Sequence, residues 1–226
     1  MRISLLHTID GNRQVFEHAA AEMGLRPEDL RHVVRADLRE AVERAGVVPA
    51  DIKAQTREML VELADEADAV IVTCATLGPV VAEIGNGPAP VVRADVALAA
   101  WAAESAQAGE KIAVLCAAEV AIEANRKLFT QYASDSGASV DVIHVPQVWT
   151  LFKSGDMNAC LAAIASAAQD AYAAGATVVA FAHPWMAPAA GLVSDEAGHG
   201  KRPLDSARAA LRVAMRRAGE AATGED

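Results

Sequence analysis

Cys74 and His183 each stand just after a short apolar, β-branched run, at residues 69–73 and 177–182. Such runs are typical of buried parallel strands, and ligands bind at the carboxyl ends of parallel strands in open α/β sheets. A thiol and an imidazole at such ends could remove a proton from one face of a substrate carbon and return one to the other face. We therefore interpret Cys74 and His183 as candidate catalytic residues.

The residues after Cys74 are predicted to stabilise its thiolate form. Pro79 is placed early in a helix predicted from about Val80, where its missing N–H group is tolerated. The amide groups and the dipole at the start of that helix would stabilise a thiolate. His183 is expected to serve as acid or base without tuning, because an imidazole ordinarily has a pKa near neutrality.

Further candidates lie at the ends of other predicted strands. His7 and Thr8 close the first strand, where a turn can offer hydroxyl and amide donors to a carboxylate. Glu119 either caps the helix that follows it or contacts the substrate. Cys116 ends a strand before two alanines, which favours a structural role, and Cys160 is predicted to pack inside an alanine-rich helix.

Composition narrows the functional classes. Lys and Arg number 20 against 30 Asp and Glu, for a net charge of −10, and no basic block is present, so nucleic acid is not expected as a partner. No apolar run approaches the length of a membrane span. The three cysteines lack paired metal-ligand spacing, which indicates free thiols and no metal site. Together with the absence of a signal-peptide pattern, this predicts a cytoplasmic protein.

The pattern of elements predicts an α/β protein with two pseudo-symmetric lobes. The order βαβαβαβ occurs twice, with a restart near Gly109. Residues 1–96 plus 206–226 form the first lobe, which carries Cys74, and residues 97–205 form the second, which carries His183. Each lobe is expected to be a short parallel sheet flanked by helices, with an active-site cleft between them. A turn is predicted at 85–88 (Gly-Asn-Gly-Pro).

The chain resembles the aspartate/glutamate/hydantoin racemase superfamily, which includes arylmalonate decarboxylase and maleate isomerase. The segments that carry the resemblance are 5–8 (LLHT), 72–79 (VTCATLGP), 90–95 (PVVRAD), 111–115 (KIAVL), 175–182 (GATVVAFA) and 202–206 (RPLDS). It implies chemistry without a cofactor at a carbon next to a carboxylate or carbonyl, with one cysteine per lobe as acid and base. Cys74 matches the first cysteine, and His183 stands at the position of the second.

The sequence departs from the family pattern around the substrate. Alanines follow Cys116 where the family often places threonines that hold a carboxylate, and Ala75 stands where Asn or Ser is usual, although Thr76 remains. Glu119 would repel a carboxylate and favour an amine or a neutral group. The predicted substrate-binding residues are His7, Thr8, Ala75, Thr76 and Glu119. The expected partner is a small carboxylic acid or amino-acid derivative, with no membrane partner, and a homo-oligomer is left open.

Four functions fit these residues. The first is a racemase or isomerase in which Cys74 and His183 exchange protons with an acidic carbon, while amides near Thr8 and Thr76 stabilise the enolate-like charge. The second is a decarboxylase of malonate-type acids, which needs Cys74 alone as proton donor. The third is a hydrolase with Cys74 as nucleophile, for which no orienting acid is apparent. The fourth is a binding protein that has kept the fold and lost the chemistry.

Overall fold

The computed structural model describes residues 1–84 and 87–223 and divides the chain into two compact units. Unit 1 comprises Met1–Ala97 and the chain from Ala207 on, and unit 2 comprises Leu98–Ser206. The predicted lobe boundaries lie one residue earlier at both points. In the turn predicted at 85–88, Gly85 and Asn86 lie outside the described residues. None of the helices in the described ranges combines the length and apolar character that a membrane span requires.

Unit 1 is built on a four-stranded parallel sheet with the strand order β2-β1-β3-β4. Its strands are β1 (Ile3–His7), β2 (Leu30–Val34), β3 (Ala69–Val72) and β4 (Val91–Arg93). The helices along this part of the chain are α1 (Asn12–Glu22), α2 (Ala36–Ala45), α3 (Ala50–Asp65) and α4 (Ala94–Glu104), the last of which runs on into unit 2.

Unit 2 repeats the same topology with the strand order β6-β5-β7-β8, again all parallel. Its strands are β5 (Lys111–Cys116), β6 (Ser139–His144), β7 (Val178–Phe181) and β8 (Leu204–Asp205). Its helices are α5 (Ile122–Ala133), α6 (Val148–Ser154) and α7 (Met157–Ala173), after which α8 (Ser206–Thr223) follows β8. The predicted α/β class, with two parallel sheets flanked by helices, is confirmed.

The two strands that precede the candidate catalytic residues are the most apolar parts of their sheets. All four residues of β3 and all four of β7 are buried. A strand that is covered on both faces reads as a continuous apolar run rather than an alternating one, which is why the sequence identifies these strands clearly. Burying each large aliphatic side chain contributes about 1.5–3 kcal/mol to folding.

Strand register gives Cys74 and His183 equivalent places in the two units. On β3, Val72 pairs with Leu6 of β1, and on β7, Phe181 pairs with Leu115 of β5. Val72 and Phe181 are the last residues of their strands, and each candidate residue follows two positions later. The internal repeat therefore puts a thiol in one unit where the other has an imidazole.

The segment after Cys74 differs from the sequence-based prediction. The α-helix expected from about Val80 is a six-residue 3₁₀ helix, Gly78–Glu83, and His183 is followed by another 3₁₀ helix, Pro184–Leu192. The second contains Pro188, which has no N–H group to donate to an α-helical ladder. Both catalytic candidates thus enter tight turns rather than α-helices.

Candidate active-site residues

Cys74 is half-buried at the carboxyl end of β3. Its side chain packs against an apolar cluster of unit 1 that includes Leu6 and Leu77. The amide groups of Leu77 and Gly78 donate to the carbonyl oxygen of Cys74 itself, at 3.2 and 3.0 Å. Two of the amides expected to face the thiol, those of Leu77 and Gly78, thus close a turn on the backbone of Cys74 instead.

A cationic side chain lies against this turn. Arg93 ends β4 and pairs in register with Val72. A Cβ atom on Gly78 would lie only 2.6 Å from Arg93 Nε, so glycine leaves the space that the guanidinium fills. Arg93 donates to Asp95 through Nε at 3.1 Å and Nη2 at 2.6 Å. No role for Arg93 was predicted from its segment, residues 90–95, although an Arg-x-Asp pair at a strand end signals an oriented guanidinium.

Unit 1 also contains a hydrogen-bonded chain of side chains that ends beside Cys74. The hydroxyl of Thr73 donates to the carbonyl of Leu6 at 3.1 Å. His7 Nδ1 lies 3.0 Å from Thr73 Oγ1, and His7 Nε2 lies 2.9 Å from His32 Nδ1. Strand β2, which carries His32, lies directly beside β1.

The direction of the two imidazole hydrogen bonds depends on the tautomers of His7 and His32. The one proton of the Thr73 hydroxyl lies within reach of both the Leu6 carbonyl and His7 Nδ1, and the Leu6 carbonyl also accepts the backbone amide of Thr73 at 3.1 Å. Burial, with smaller effects of His32 and Arg13, lowers the pKa of His7 to about 3, which keeps it neutral. Both nitrogens of this buried ring are thus used inside unit 1, where they support Thr73, the residue before Cys74.

In unit 2, His183 is paired with a second thiol. Cys116 Sγ, at the end of β5, lies 3.6 Å from His183 Nε2. The same sulfur lies 3.2 Å from the carbonyl oxygen of Ala118 and 3.7 Å from Asn125 Nδ2. The structural role predicted for Cys116 therefore misses a direct contact with a catalytic candidate. The sequence carried a signal for this contact in the repeat of the two units. Strand β1 pairs with β3, which leads to Cys74, and β5 pairs with β7, which leads to His183. The last residues of β1 and β5 are His7 and Cys116.

The surroundings of this pair keep both groups uncharged. The His183 ring stacks on Trp185 with centroids 5.5 Å apart and an angle of 15° between the planes, and Trp185 stacks in turn on Phe152. Burial lowers the pKa of His183 to about 4, well below the near-neutral value expected from the sequence. Burial also raises the pKa of the Cys116 thiol. At pH 7 the pair is a neutral thiol and a neutral imidazole, which makes His183 a base rather than an acid.

The other predicted binding residues lie in different settings. Ala75 and Thr76 are exposed in the turn after Cys74, and Thr8 is buried after β1. Glu119 is exposed at the start of the 3₁₀ helix Glu119–Ala121, and neither that helix nor α5 has a side-chain cap, so the capping alternative is wrong. Contact of these residues with a substrate stays a prediction. Across the described ranges, no cluster of three or more His, Cys, Asp or Glu could hold a metal ion.

The lowered pKa of His183 predicts a loss of stability in acid. The pKa of His183 is about 4 in the folded protein, below its ordinary value of 6.5. Because the folded value is the lower one, the stability due to neutral His183 is complete above about pH 6.5 and is lost as the pH falls toward 4. The loss is on the order of 1 kcal/mol per pH unit.

Urea unfolding at pH 6.5 and pH 4.5 measures this effect. The free energy of unfolding is expected to fall less in His183→Gln than in the wild type. His18→Gln is the control, because His18 is exposed on α1 beside Glu22. If the free energy of unfolding falls equally in His183→Gln and in the wild type between pH 6.5 and pH 4.5, the pKa assigned to His183 is contradicted.

Comparison with known proteins gives a likeness of structure without a likeness of sequence. No protein-family model and no curated protein matches the chain. An aspartate racemase from Picrophilus torridus is 12% identical, with a TM-score of 0.69 over 100% of this chain and 99% of that one. An allantoin racemase from Klebsiella pneumoniae is 13% identical, with a TM-score of 0.71 over 99% of this chain and 89% of that one.

A glutamate racemase from Bacillus anthracis is also similar, at 13% identity and a TM-score of 0.63 over 99% of this chain and 83% of that one. At such identities the likeness concerns the fold, and it extends over almost the whole chain. The resemblance read from the sequence is confirmed at that level: the chain has the fold of the aspartate/glutamate/hydantoin racemase superfamily.

Proposed function

We propose that the protein is a racemase- or isomerase-like enzyme that moves a proton at a carbon next to a carboxylate or carbonyl, without a cofactor. One observation carries the proposal: the repeated β-sheet topology gives Cys74 and His183 equivalent places, two residues beyond the ends of β3 and β7. Two proton-transfer groups of different chemistry thus occupy matching strand ends. The racemase fold of the chain supports the same reaction class.

The chemistry of the two groups suggests their roles. His183 is neutral at pH 7, because burial lowers its pKa to about 4, and it accepts the proton in one direction of the reaction. The Cys74 thiol donates a proton in that direction and takes one in the other. An enolate-like charge would be stabilised by backbone amides near Thr8 and Thr76. The guanidinium of Arg93 lies beside the turn after Cys74, where it is paired with the carboxylate of Asp95.

The setting of the thiols supports a reducing compartment. Cys74, Cys116 and Cys160 are all free, and two of them are buried. Free thiols persist in the reducing cytoplasm, whereas oxidising compartments favour disulfides. We accordingly place the protein in the cytoplasm, acting on a small carboxylic acid or an amino-acid derivative.

Hydrogen exchange in heavy water tests the proposed reaction. Purified protein is incubated with single enantiomers of amino, hydroxy and hydantoin-type acids, and deuterium at the α-carbon is measured by NMR. At least one compound is expected to gain deuterium, and the Cys74→Ala variant is expected to lack that exchange. Release of carbon dioxide from malonate-type acids without exchange would indicate the decarboxylase instead. If no compound exchanges and none releases carbon dioxide, the proposal fails.

A further inference from the structure

The sulfur of Cys116 has three polar neighbours and one proton. The carbonyl oxygen of Ala118 is 3.2 Å away, His183 Nε2 is 3.6 Å away, and Asn125 Nδ2 is 3.7 Å away. Burial raises the pKa of this thiol, so the proton stays on the sulfur at neutral pH. Whether the thiol donates this proton to Ala118 or to His183 decides which ring nitrogen of His183 carries a proton.

Asn125 can only donate to the sulfur. Its side-chain nitrogen also donates to the carbonyl of Ala121 at 2.8 Å, and this bond fixes the amide group on the first turn of α5. One N–H of the amide points to Ala121, and the other is left for Cys116. The sulfur therefore already accepts one hydrogen bond, from a group held in place by the backbone.

Ala118 can only accept. A carbonyl oxygen has no proton, and at 3.2 Å it is the nearest polar neighbour of the sulfur. If the thiol proton pointed to His183, a lone pair of the Cys116 sulfur would face a lone pair of the Ala118 carbonyl oxygen. The thiol proton therefore points to Ala118, and His183 must donate from Nε2 to the sulfur.

From this geometry we infer that Cys116 is a positioning residue, which holds His183 as the Nε2–H tautomer and leaves Nδ1 as the proton acceptor. Within the described residues, Nδ1 of His183 has no hydrogen-bond partner. The ring plane is held as well, by the stack on Trp185. Asn125 supports Cys116 in turn.

The role of this tautomer in catalysis rests on the proposed function, but the tautomer itself does not. In the proposed step, Nδ1 of His183 takes the proton of the substrate C–H bond, and the electron pair of that bond stays on the substrate as an enolate. The resulting imidazolium keeps its Nε2–H on the sulfur of Cys116. The ring therefore gains charge without giving up its contact with Cys116.

NMR of the full-length protein with ¹⁵N-labelled histidine tests the inference at pH 7 without any substrate. Two-bond and three-bond nitrogen–proton correlations distinguish the Nε2–H tautomer from the Nδ1–H tautomer. The His183 signal is assigned from its absence in His183→Gln. In the wild type, His183 is expected as the Nε2–H tautomer. In Cys116→Ala, its two nitrogen shifts are expected to move toward each other, because both tautomers become populated.

Cys160→Ala is the matched control, since it removes the other buried thiol, which donates to the carbonyl of Val148 at 3.5 Å. Its His183 shifts are expected to equal those of the wild type. An Nδ1–H tautomer in the wild type overturns the inference, as does an unchanged tautomer in Cys116→Ala. If that variant does not fold, the wild-type spectrum alone decides. A protein without exchange activity but with the expected spectrum would refute the proposed function and leave the tautomer assignment standing.

Discussion

Replacing Cys74 by serine is expected to lower the rate of α-proton exchange by roughly 10²–10⁴-fold, the usual contribution of a general acid or base. A serine hydroxyl fills nearly the same space as the thiol but is a much weaker acid. The fold should remain, because Cys74 is only half-buried at the edge of the apolar cluster of unit 1. The measurement is deuterium uptake by the best substrate of the wild type, under initial-rate conditions.

The control for this variant is Cys160→Ala. Cys160 is buried in α7, and its loss removes a thiol of the same chemistry from a packing position. Its exchange rate is expected to stay within a few-fold of the wild-type rate. Equal rates in Cys74→Ser and the wild type would remove Cys74 from the reaction, whatever the fold suggests.

His183→Gln is expected to cause a loss of similar size and also to change the pH dependence. The pKa of His183 is about 4, so the wild-type base stays unprotonated down to that pH and loses its function as the pH falls through it. The acid limb of the rate profile should therefore lie near pH 4 in the wild type. Glutamine cannot take up the proton, so this limb should vanish along with most of the activity.

The matched control is His18→Gln, which alters an exposed imidazole on α1. Its rate and its pH profile are expected to follow those of the wild type. A wild-type acid limb near pH 6.5 that persists in His183→Gln would assign the titration to another group. That outcome would contradict the role given to His183.

The sheets could be predicted from the sequence because their strands are continuous apolar runs. Strands β3 and β7 are buried on both faces, so nearly every residue in them is apolar and the pattern is hard to mistake. The same runs place Cys74 and His183 at strand ends. Local sequence therefore suffices for the fold class and for the strand-end positions of these two residues.

The turns after the strands were harder to predict. A proline near a helix start is compatible with both α and 3₁₀ geometry, and the choice depends on tertiary contacts. At Gly78 the deciding neighbour is Arg93, which lies fifteen positions later in the sequence and fills the space beside the turn. No local pattern carries that information.

The hydrogen-bonded groups could not be read from spacing at all. Cys116 and His183 are 67 positions apart and meet because β5 and β7 are neighbours in one sheet. His7 and His32 meet in the same way through β1 and β2. Parallel strands bring together residues whose separation depends on the length of the intervening helices, so sequence distance says nothing about the pairing.

Deuterium incorporation in early turnover distinguishes proton transfer by two different groups from proton transfer by a single group. A single enantiomer of the best substrate is incubated in heavy water and stopped before a tenth has reacted. With Cys74 and His183 as the two groups, the product enantiomer is expected to carry deuterium at the α-carbon while the recovered substrate keeps its protium. Equal deuterium in substrate and product would indicate one base acting on both faces, and product free of deuterium would contradict proton exchange with solvent through Cys74 and His183.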